Sequence, residues 1–397
     1  MKIPTQIQGL EYVVGDASTI ERMLEVPRLK PFSDEAVNFL DSLSKILFNA
    51  GRGYSDVITF AFWCRRAAVM REARNYIDAC VRLGRGIVFH STPSNVAVNF
   101  AFSFATGLLA GNPNIVRLPA KDFEQVRIIT SAVQAVLQSQ SEMQAYVVFV
   151  KYGLIKECSD LFSSICAARI VWGGDMTIKM MRESPLPPRS TEITFADRYS
   201  LLIMNADAVV AEKNMARCVR DFWNDTFFTD QNACTSPRLV AWVGECKEEA
   251  KESFWSAVKE LVRKDYKLQP VQAVQKLAAM YRVALKENVQ LVGAEDNYVY
   301  RLKVDKLDVG LMDYKFNSGF FFEYDATSLA EIFAFTDVKC QTVTYWGFTK
   351  DEIHMAVEMS RPHGIDRIVP IGTSMNFSLV WDGYDLIRSL SRIITIE

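Results

Sequence analysis

The residue with the clearest chemical potential is Cys234. It stands in Thr229-Asp230-Gln231-Asn232-Ala233-Cys234-Thr235-Ser236-Pro237-Arg238, in small and polar company between a helix-like and a strand-like run. A packed thiol behaves as a small inert hydrophobe. A thiol on a polar turn near backbone N–H groups ionises more readily and attacks a carbonyl, which leaves a thioester. The local pattern admits both roles. Asn95, in Ser91-Thr92-Pro93-Ser94-Asn95, lies between a strand-like and a helix-like run. It reads either as a helix cap or as an amide aimed at a developing oxyanion. Gly173-Gly174-Asp175 follows a strand-like run and precedes a helix-like one. Glycines there let backbone approach a phosphate at a helix N-terminus, although any strand-to-helix turn uses them. Arg117 and Lys121 suit a cofactor phosphate or ribose, or plain solvation. Gly84-Arg85-Gly86 precedes its strand instead of following it, so it is not the dinucleotide fingerprint.

These residues need a scaffold, and the chain supplies a rhythm for one. Strand-like runs at 86–90, 114–118, 146–150 and 168–172 alternate with helix-like runs at 96–109, 123–137, 157–167 and 176–182. Short apolar strands alternating with helices predict a parallel sheet covered on both faces. Upstream, 1–35 reads as a partly extended lead-in and 56–83 as one long amphipathic helix. Pro185-Leu186-Pro187-Pro188-Arg189 interrupts the rhythm. Beyond it come a strand at 201–204, a helix at 208–222, a strand at 239–243, helices at 248–262 and 271–283, a strand-rich stretch at 289–323 and a strand at 341–345. The expected organisation is a cofactor-binding domain over 1–204, a catalytic domain over 205–365 and a tail, 366–397, that returns to the first domain or makes an oligomer contact.

Composition excludes several function classes. The chain has 397 residues, 49% of them hydrophobic, which is enough for two buried cores. A formal net charge of −2 gives no bulk attraction to nucleic acid. Three histidines and eight scattered cysteines without a CxxC pair argue against a metal site. No apolar run reaches the length of a transmembrane span and the N-terminus lacks a signal-peptide pattern, so a reducing cytoplasmic setting is expected.

Several ordered blocks carry a resemblance. They are Pro93-Ser94-Asn95, Leu108-Leu109-Ala110-Gly111-Asn112 with Ile115-Val116-Arg117, Val171-Trp172-Gly173-Gly174-Asp175, Phe195-Ala196-Asp197-Arg198, the Asp230–Arg238 block, Thr344-Tyr345-Trp346-Gly347, Arg367-Ile368-Val369-Pro370-Ile371-Gly372 and Trp381-Asp382-Gly383-Tyr384. From about residue 85 onward the chain resembles the LuxC-type acyl-CoA reductases of bacterial luminescence, within the aldehyde dehydrogenase superfamily. The resemblance implies an α/β fold with a modified Rossmann cofactor domain and an α/β catalytic domain. It implies Cys234 as acyl acceptor, with Asn95 and the Cys234 N–H on the oxyanion. Pro93, Arg117, Gly173 and Gly174 would hold NADPH, with NADH as an alternative, and Glu331 matches a ribose-binding glutamate. It implies an acyl-CoA or acyl-protein substrate, a homo-oligomer, and an acyl-protein synthetase-like partner.

One departure bears on direction. Hydrolytic relatives place a water-activating glutamate where this chain reads Ile193-Thr194-Phe195-Ala196-Asp197-Arg198, with Glu192 and Asp197 out of register. A thioester on Cys234 is then spared hydrolysis and open to hydride. Reversible CoA-acylating or ordinary aldehyde dehydrogenation, or an inactive docking scaffold, are the rival readings. Glu331 also fits a plain helix turn; His90 reads as a structural hydrogen-bonding group and His354 as solvated, while His363 suits the mouth of a site. The phenylalanines of 316–322 read as sheet core or as an acyl tunnel.

Overall fold

A computed structural model of the chain describes residues 3, 7–77, 80–93, 96–293 and 296–397. It divides into two compact units, Met1–Ala196 with Phe377–Glu397, and Asp197–Asn376.

The first unit opens with β1 (Glu11–Val14) and α1 (Ala17–Glu25), so the lead-in is structured. Asp16 caps α1 by accepting a hydrogen bond from the Thr19 N–H at 2.7 Å. Next comes α2 (Asp34–Ala50), which buries Val37, Leu40, Leu43 and Leu47 at helical spacing. The expected long helix is broken into α3 (Ser55–Cys64) and α4 (Arg66–Ala73). Arg65 is extended at the joint, with ψ 138°, and the Arg66 N–H donates to Asp41 Oδ1 at 2.9 Å, so a side chain of α2 caps the new helix. Strand β2 (Val81–Gly84) occupies what periodicity assigned to the end of that helix. Then the alternation runs β3 (Val88–Ser91), α5 (Asn99–Leu109), β4 (Asn114–Arg117), α6 (Glu124–Ser139), β5 (Val147–Lys151), α7 (Lys156–Ile165), β6 (Ala168–Trp172), α8 (Asp175–Arg182) and β7 (Thr191–Phe195). The six strands lie in the order β1-β5-β4-β3-β6-β7, parallel except for β1. Both faces are dry: Val147 and Phe149 enter one core, Val148 and Val150 the other.

The second unit contains β8 (Tyr199–Asn205), α9 (Ala206–Ala211), α10 (Met215–Asp225), β9 (Pro237–Val243), α11 (Lys247–Asp265), α12 (Pro270–Ala284), β10 (Val289–Val292), β11 (Tyr300–Val304), β12 (Phe320–Asp325), α13 (Leu329–Phe335), β13 (Cys340–Trp346), α14 (Lys350–Ser360) and β14 (Arg367–Pro370). Its seven strands run β10-β11-β12-β9-β8-β13-β14, with only β10 antiparallel. Leu201 and Ile203 face one core, Leu202 and Met204 the other. Because β8 pairs with β9 and β13, the boundary falls at 196/197 and not after residue 204.

The last residues form the hairpin of β15 (Val380–Trp381) and β16 (Tyr384–Asp385), then α15 (Leu386–Ser389) and β17 (Ser391–Ile394). Strand β17 pairs with β2, and Trp381, Leu386, Ile387 and Leu390 enter the core of the first unit. Residues 366–376 cluster with the second unit, so the tail begins about ten residues later than sequence spacing indicates.

Candidate active site

In the first sheet the chain moves outward from β3 to β4 to β5, then crosses back to place β6 on the other side of β3. Crevices at such a reversal, outside the carboxyl ends of the strands, are where open α/β sheets take ligands. A cleft of about 430 Å3 lies there, lined by Pro93 after β3, Arg117 at the end of β4, Leu154 after β5, and Gly173 and Gly174 after β6. Four of the expected cofactor residues therefore come together. Asn95, with Ser94, lies outside the described residues.

The cleft residues are held by backbone. Arg117 donates from Nη2 to the Gly153 carbonyl at 3.0 Å and to the Tyr152 carbonyl at 3.3 Å, with its guanidinium 4.5 Å from the Tyr152 ring centroid. The Thr92 hydroxyl donates to the Arg117 carbonyl at 2.5 Å, tying β3 to β4. At Gly173 a Cβ would stand 2.8 Å from Thr177 Cγ2, so only glycine allows α8 to start this close beneath the turn. Beneath the cleft, Trp172 Nε1 donates to Ser103 Oγ at 3.0 Å. The Asn114 amide nitrogen donates to the Asn112 carbonyl, so its oxygen accepts from His90 Nε2 at 2.9 Å, and the Ser103 hydroxyl donates to His90 Nδ1 at 2.8 Å. Burial pushes His90 down to about 4 and keeps it neutral. These residues suit a dinucleotide: glycine backbone and the start of α8 for the pyrophosphate, and a cation for ribose or phosphate. Among the described residues no group of three or more His, Cys, Asp or Glu could hold a metal.

In the second unit Cys234 is exposed, on the loop that leads into the amino end of β9. Asp230 and Gln231 both take left-handed backbone, φ 53° and 58°. Gln231 is 3% exposed and its side chain makes four hydrogen bonds. Its Nε2 donates to the Pro237 and Phe320 carbonyls at 2.9 Å each, and its Oε1 accepts from the Gly319 and Phe320 N–H groups at 3.0 Å each. The Ser318 N–H donates to the Asp230 carbonyl at 2.9 Å, and the Tyr266 hydroxyl to Asp230 Oδ1 at 2.6 Å. Ser200 Oγ donates to the Cys234 carbonyl at 2.7 Å, and Thr235 Oγ1 to Met375 Sδ at 3.1 Å. The loop is thus fixed on three sides, and Cys234 itself is exposed. Burial pulls the Arg238 guanidinium below its ordinary value, opposed by its attraction to Cys234 and Asp197.

The carboxylates near the matching glutamate position are engaged. Glu192 accepts from Arg169 at 2.5 Å and from Arg182 at 2.7 Å, and Asp197 pairs with Lys315 at 2.9 Å. Glu331 lies in the second unit, at the start of α13, where it accepts from the Thr327 N–H at 2.7 Å, the Thr327 hydroxyl at 2.6 Å and the Tyr324 hydroxyl. Its carboxylate serves that turn, and it is not among the residues lining the cleft. Phe320 and Phe322 lie in the sheet core, with Phe316 against them. Sequence reasoning names Gln231 and Arg238 only as neighbours of the cysteine. A glutamine three residues before a candidate nucleophile, followed by proline, was the available signal.

A sequence profile of the acyl-CoA reductase (LuxC) family matches residues 16–395. The chain belongs to that family. Its members are NAD(P)H-dependent enzymes that reduce acyl-CoA to aldehyde, characteristically with NADPH. Among solved structures, proline utilization A from Bradyrhizobium japonicum is similar with a TM-score of 0.67 and 13% identity, over 96% of this chain and 44% of that one. The chain therefore spans less than half the length of that protein. The 1-pyrroline-5-carboxylate dehydrogenase of Thermus thermophilus gives 0.65 and 11% over 95% and 83%. An NAD-dependent benzaldehyde dehydrogenase from Corynebacterium glutamicum gives 0.63 and 11% over 95% and 87%. These likenesses show the aldehyde dehydrogenase-like α/β fold. Among curated proteins none matches the chain by sequence. No helix among the described residues is long and apolar enough to cross a membrane.

Proposed function

We propose that this chain reduces a fatty or related acyl thioester to the aldehyde through a covalent acyl group on Cys234. The Cys234 thiolate attacks the acyl carbonyl, the bond to the CoA sulfur breaks, and CoA leaves as the thiolate. NADPH, when bound, supplies the hydride. The resulting thiohemiacetal oxyanion collapses, which releases the aldehyde and returns Cys234 as thiolate. Asn95 and the Cys234 N–H would stabilise the oxyanion. Pro93, Arg117, Gly173 and Gly174 would hold the dinucleotide. The observation that carries the reading is the cysteine loop: an exposed thiol on a segment that Gln231 fastens by four hydrogen bonds, with Arg238 in electrostatic reach. The engagement of Glu192 by two arginines supports reduction over hydrolysis, since a carboxylate so paired is a poor base for water.

The further elements of the reading are a cytoplasmic homo-oligomer that receives acyl groups from a synthetase-like partner or from acyl-CoA. Unbridged buried thiols at Cys64, Cys158 and Cys340 suit a reducing compartment. An exposed apolar stripe on α12, formed by Val271, Val274, Leu277, Tyr281 and Leu285, is a surface that self-association would cover.

Intact mass after exposure to acyl-CoA tests the chemistry. The expected result is one added acyl group, cleared by NADPH with release of aldehyde, and absent in Cys234→Ala. Turnover that survives in that variant overturns the assignment. Oxidation of aldehyde by NADP+ in the presence of CoA that outpaces reduction would reverse the direction.

A further inference from the structure

The helix α12 carries a lysine on its inward face. Lys276 is 2% exposed and shares that face with Ala279 and Val283. Its ammonium donates to three backbone carbonyls: Ser318 at 2.7 Å, Tyr298 at 2.9 Å, and Asn297. It also sits 5.3 Å from the Tyr300 ring centroid. Burial pulls it down to about 7, with Asp296 opposing. Asp296 is itself taken up by Arg263 and by the Tyr298 N–H.

One of these carbonyls, that of Ser318, belongs to the turn on which the cysteine loop hangs; the other two lie on the segment that leads into β11. Ser318 and Gly319 are left-handed, φ 59° and 86°. Their N–H groups, with that of Phe320, bind the Asp230 carbonyl and Gln231 Oε1 at 2.9–3.0 Å. A peptide whose N–H groups point at the cysteine loop turns carbonyls the other way, and at Ser318 that carbonyl meets the ammonium. A neutral or apolar side chain in its place leaves buried carbonyls short of donors.

We propose that Lys276 is a positioning residue for Cys234, acting through the Ser318-Gly319 turn and Gln231. The inference rests on Cys234 being the reacting residue. Through this relay a lysine more than forty residues downstream of the cysteine sets the geometry of the thiol.

The test is a graded series, Lys276→Arg, Lys276→Gln and Lys276→Met, read by the rate of acyl loading from acyl-CoA without NADPH. The maximal loading rate is expected to fall in the order of donors retained, with a loss between roughly ten- and a hundred-fold for the methionine variant. The acyl-CoA concentration at half-saturation and the affinity for NADPH are expected to stay near wild type, and Lys276→Arg to recover most of the rate. If the methionine variant does not fold, the arginine and glutamine variants decide. A glutamine variant that loads at the wild-type rate, or a series in which half-saturation and not the maximal rate changes, overturns the proposal. A wild-type protein that accepts no acyl group overturns the functional reading instead. In that case the iodoacetamide labelling rate of Cys234 across the same series decides the role of Lys276, an unchanged rate being the negative result.

Discussion

The cleft of the first unit and the cysteine loop of the second are built on opposite plans. The cleft lies at the carboxyl ends of parallel strands, and what shapes it is strand order and backbone: two glycines, a proline, and an arginine tied to carbonyls. The cysteine loop enters the amino end of β9, and what shapes it is a set of side chains from distant parts of the chain, with Gln231 at the centre. The difference follows from the demands on each. A bound dinucleotide presents phosphates that N–H groups at strand and helix ends can meet. A nucleophile must be exposed yet held to a fraction of an ångström, so an irregular loop needs staples.

Removing the central staple gives the largest expected effect. Gln231→Ala strips buried backbone groups at Pro237, Gly319 and Phe320 of their partners. A stability loss of roughly 3 kcal/mol or more is expected in a urea titration. Acyl loading should fall by about a hundred-fold. NADPH affinity should be untouched, because none of these groups belongs to the cleft. A variant that loses both functions equally would break the division between the two plans.

The same division explains what the sequence made legible. Strand–helix alternation predicts the four inner strands of the first sheet and misses the edge strands β1 and β7: 168–172 and β6 coincide, and 114–118 differs from β4 by one residue. Gly173 and Gly174 are visible because backbone-built sites leave glycines at strand ends. The cysteine stands out by its polar company. What holds it does not, because Gln231, Ser318 and Lys276 are far apart in sequence and meet only through tertiary hydrogen bonds. Helix α12 is legible as a helix, 271–283 against 270–284, but its orientation is not: Val271, Val274 and Tyr281 are exposed while Lys276 is buried with Ala279 and Val283. The break at Arg65 is equally silent, since an aspartate of another helix caps the new one. Asn95 lies outside the described residues, so its role rests on the resemblance alone.

Acid should act on the two units with opposite signs. His90, beneath the cleft, is pushed down to about 4 by burial. Below the ordinary imidazole value the unfolded chain binds a proton that the folded unit refuses. Stability is therefore lost as pH falls from about 6.5 to about 4, by on the order of 3 kcal/mol. Asp225, which accepts from the Gly372 and Ser374 N–H groups in the second unit, is raised to about 6, burial outweighing those hydrogen bonds. Its folded form keeps a proton that the unfolded chain has released. That contribution is complete below about 4 and is lost as pH rises through about 6, again by on the order of 3 kcal/mol. Hydrogen exchange at about pH 5 and about pH 7, corrected for intrinsic rates, should show β3 and α5 opening more readily in acid and the 371–374 segment less readily. His90→Asn should remove the first trend and Asp225→Asn the second. Responses of one sign in both units would refute the assignment.

Arg117 tests the cleft from the other side. Arg117→Ala should raise the KM for NADPH roughly ten-fold with little change in kcat, as loss of one charge-assisted contact does. Acyl loading in the absence of NADPH should not change. Arg117→Lys keeps the charge but gives up the forked contacts to Tyr152 and Gly153 and the stacking on the Tyr152 ring, so it should recover only part of the affinity.

The smallest effect is expected at Glu331, and it asks whether this carboxylate has any part in cofactor binding. The carboxylate sits three residues into α13 and reaches back to the N–H and hydroxyl of Thr327, while the Glu331 N–H donates to Ser328 Oγ at 3.2 Å. Ser328 thus caps the helix while the carboxylate fastens the residue before the cap, and the Tyr324 hydroxyl adds a third donor. A carboxylate with three donors already in place has little left to offer a ribose hydroxyl. Glu331→Ala should cost about 1 kcal/mol of stability and leave the KM for NADPH within about two-fold of wild type. A KM that rises with the unfolding midpoint unchanged would overturn this and return a cofactor role to the Glu331 carboxylate.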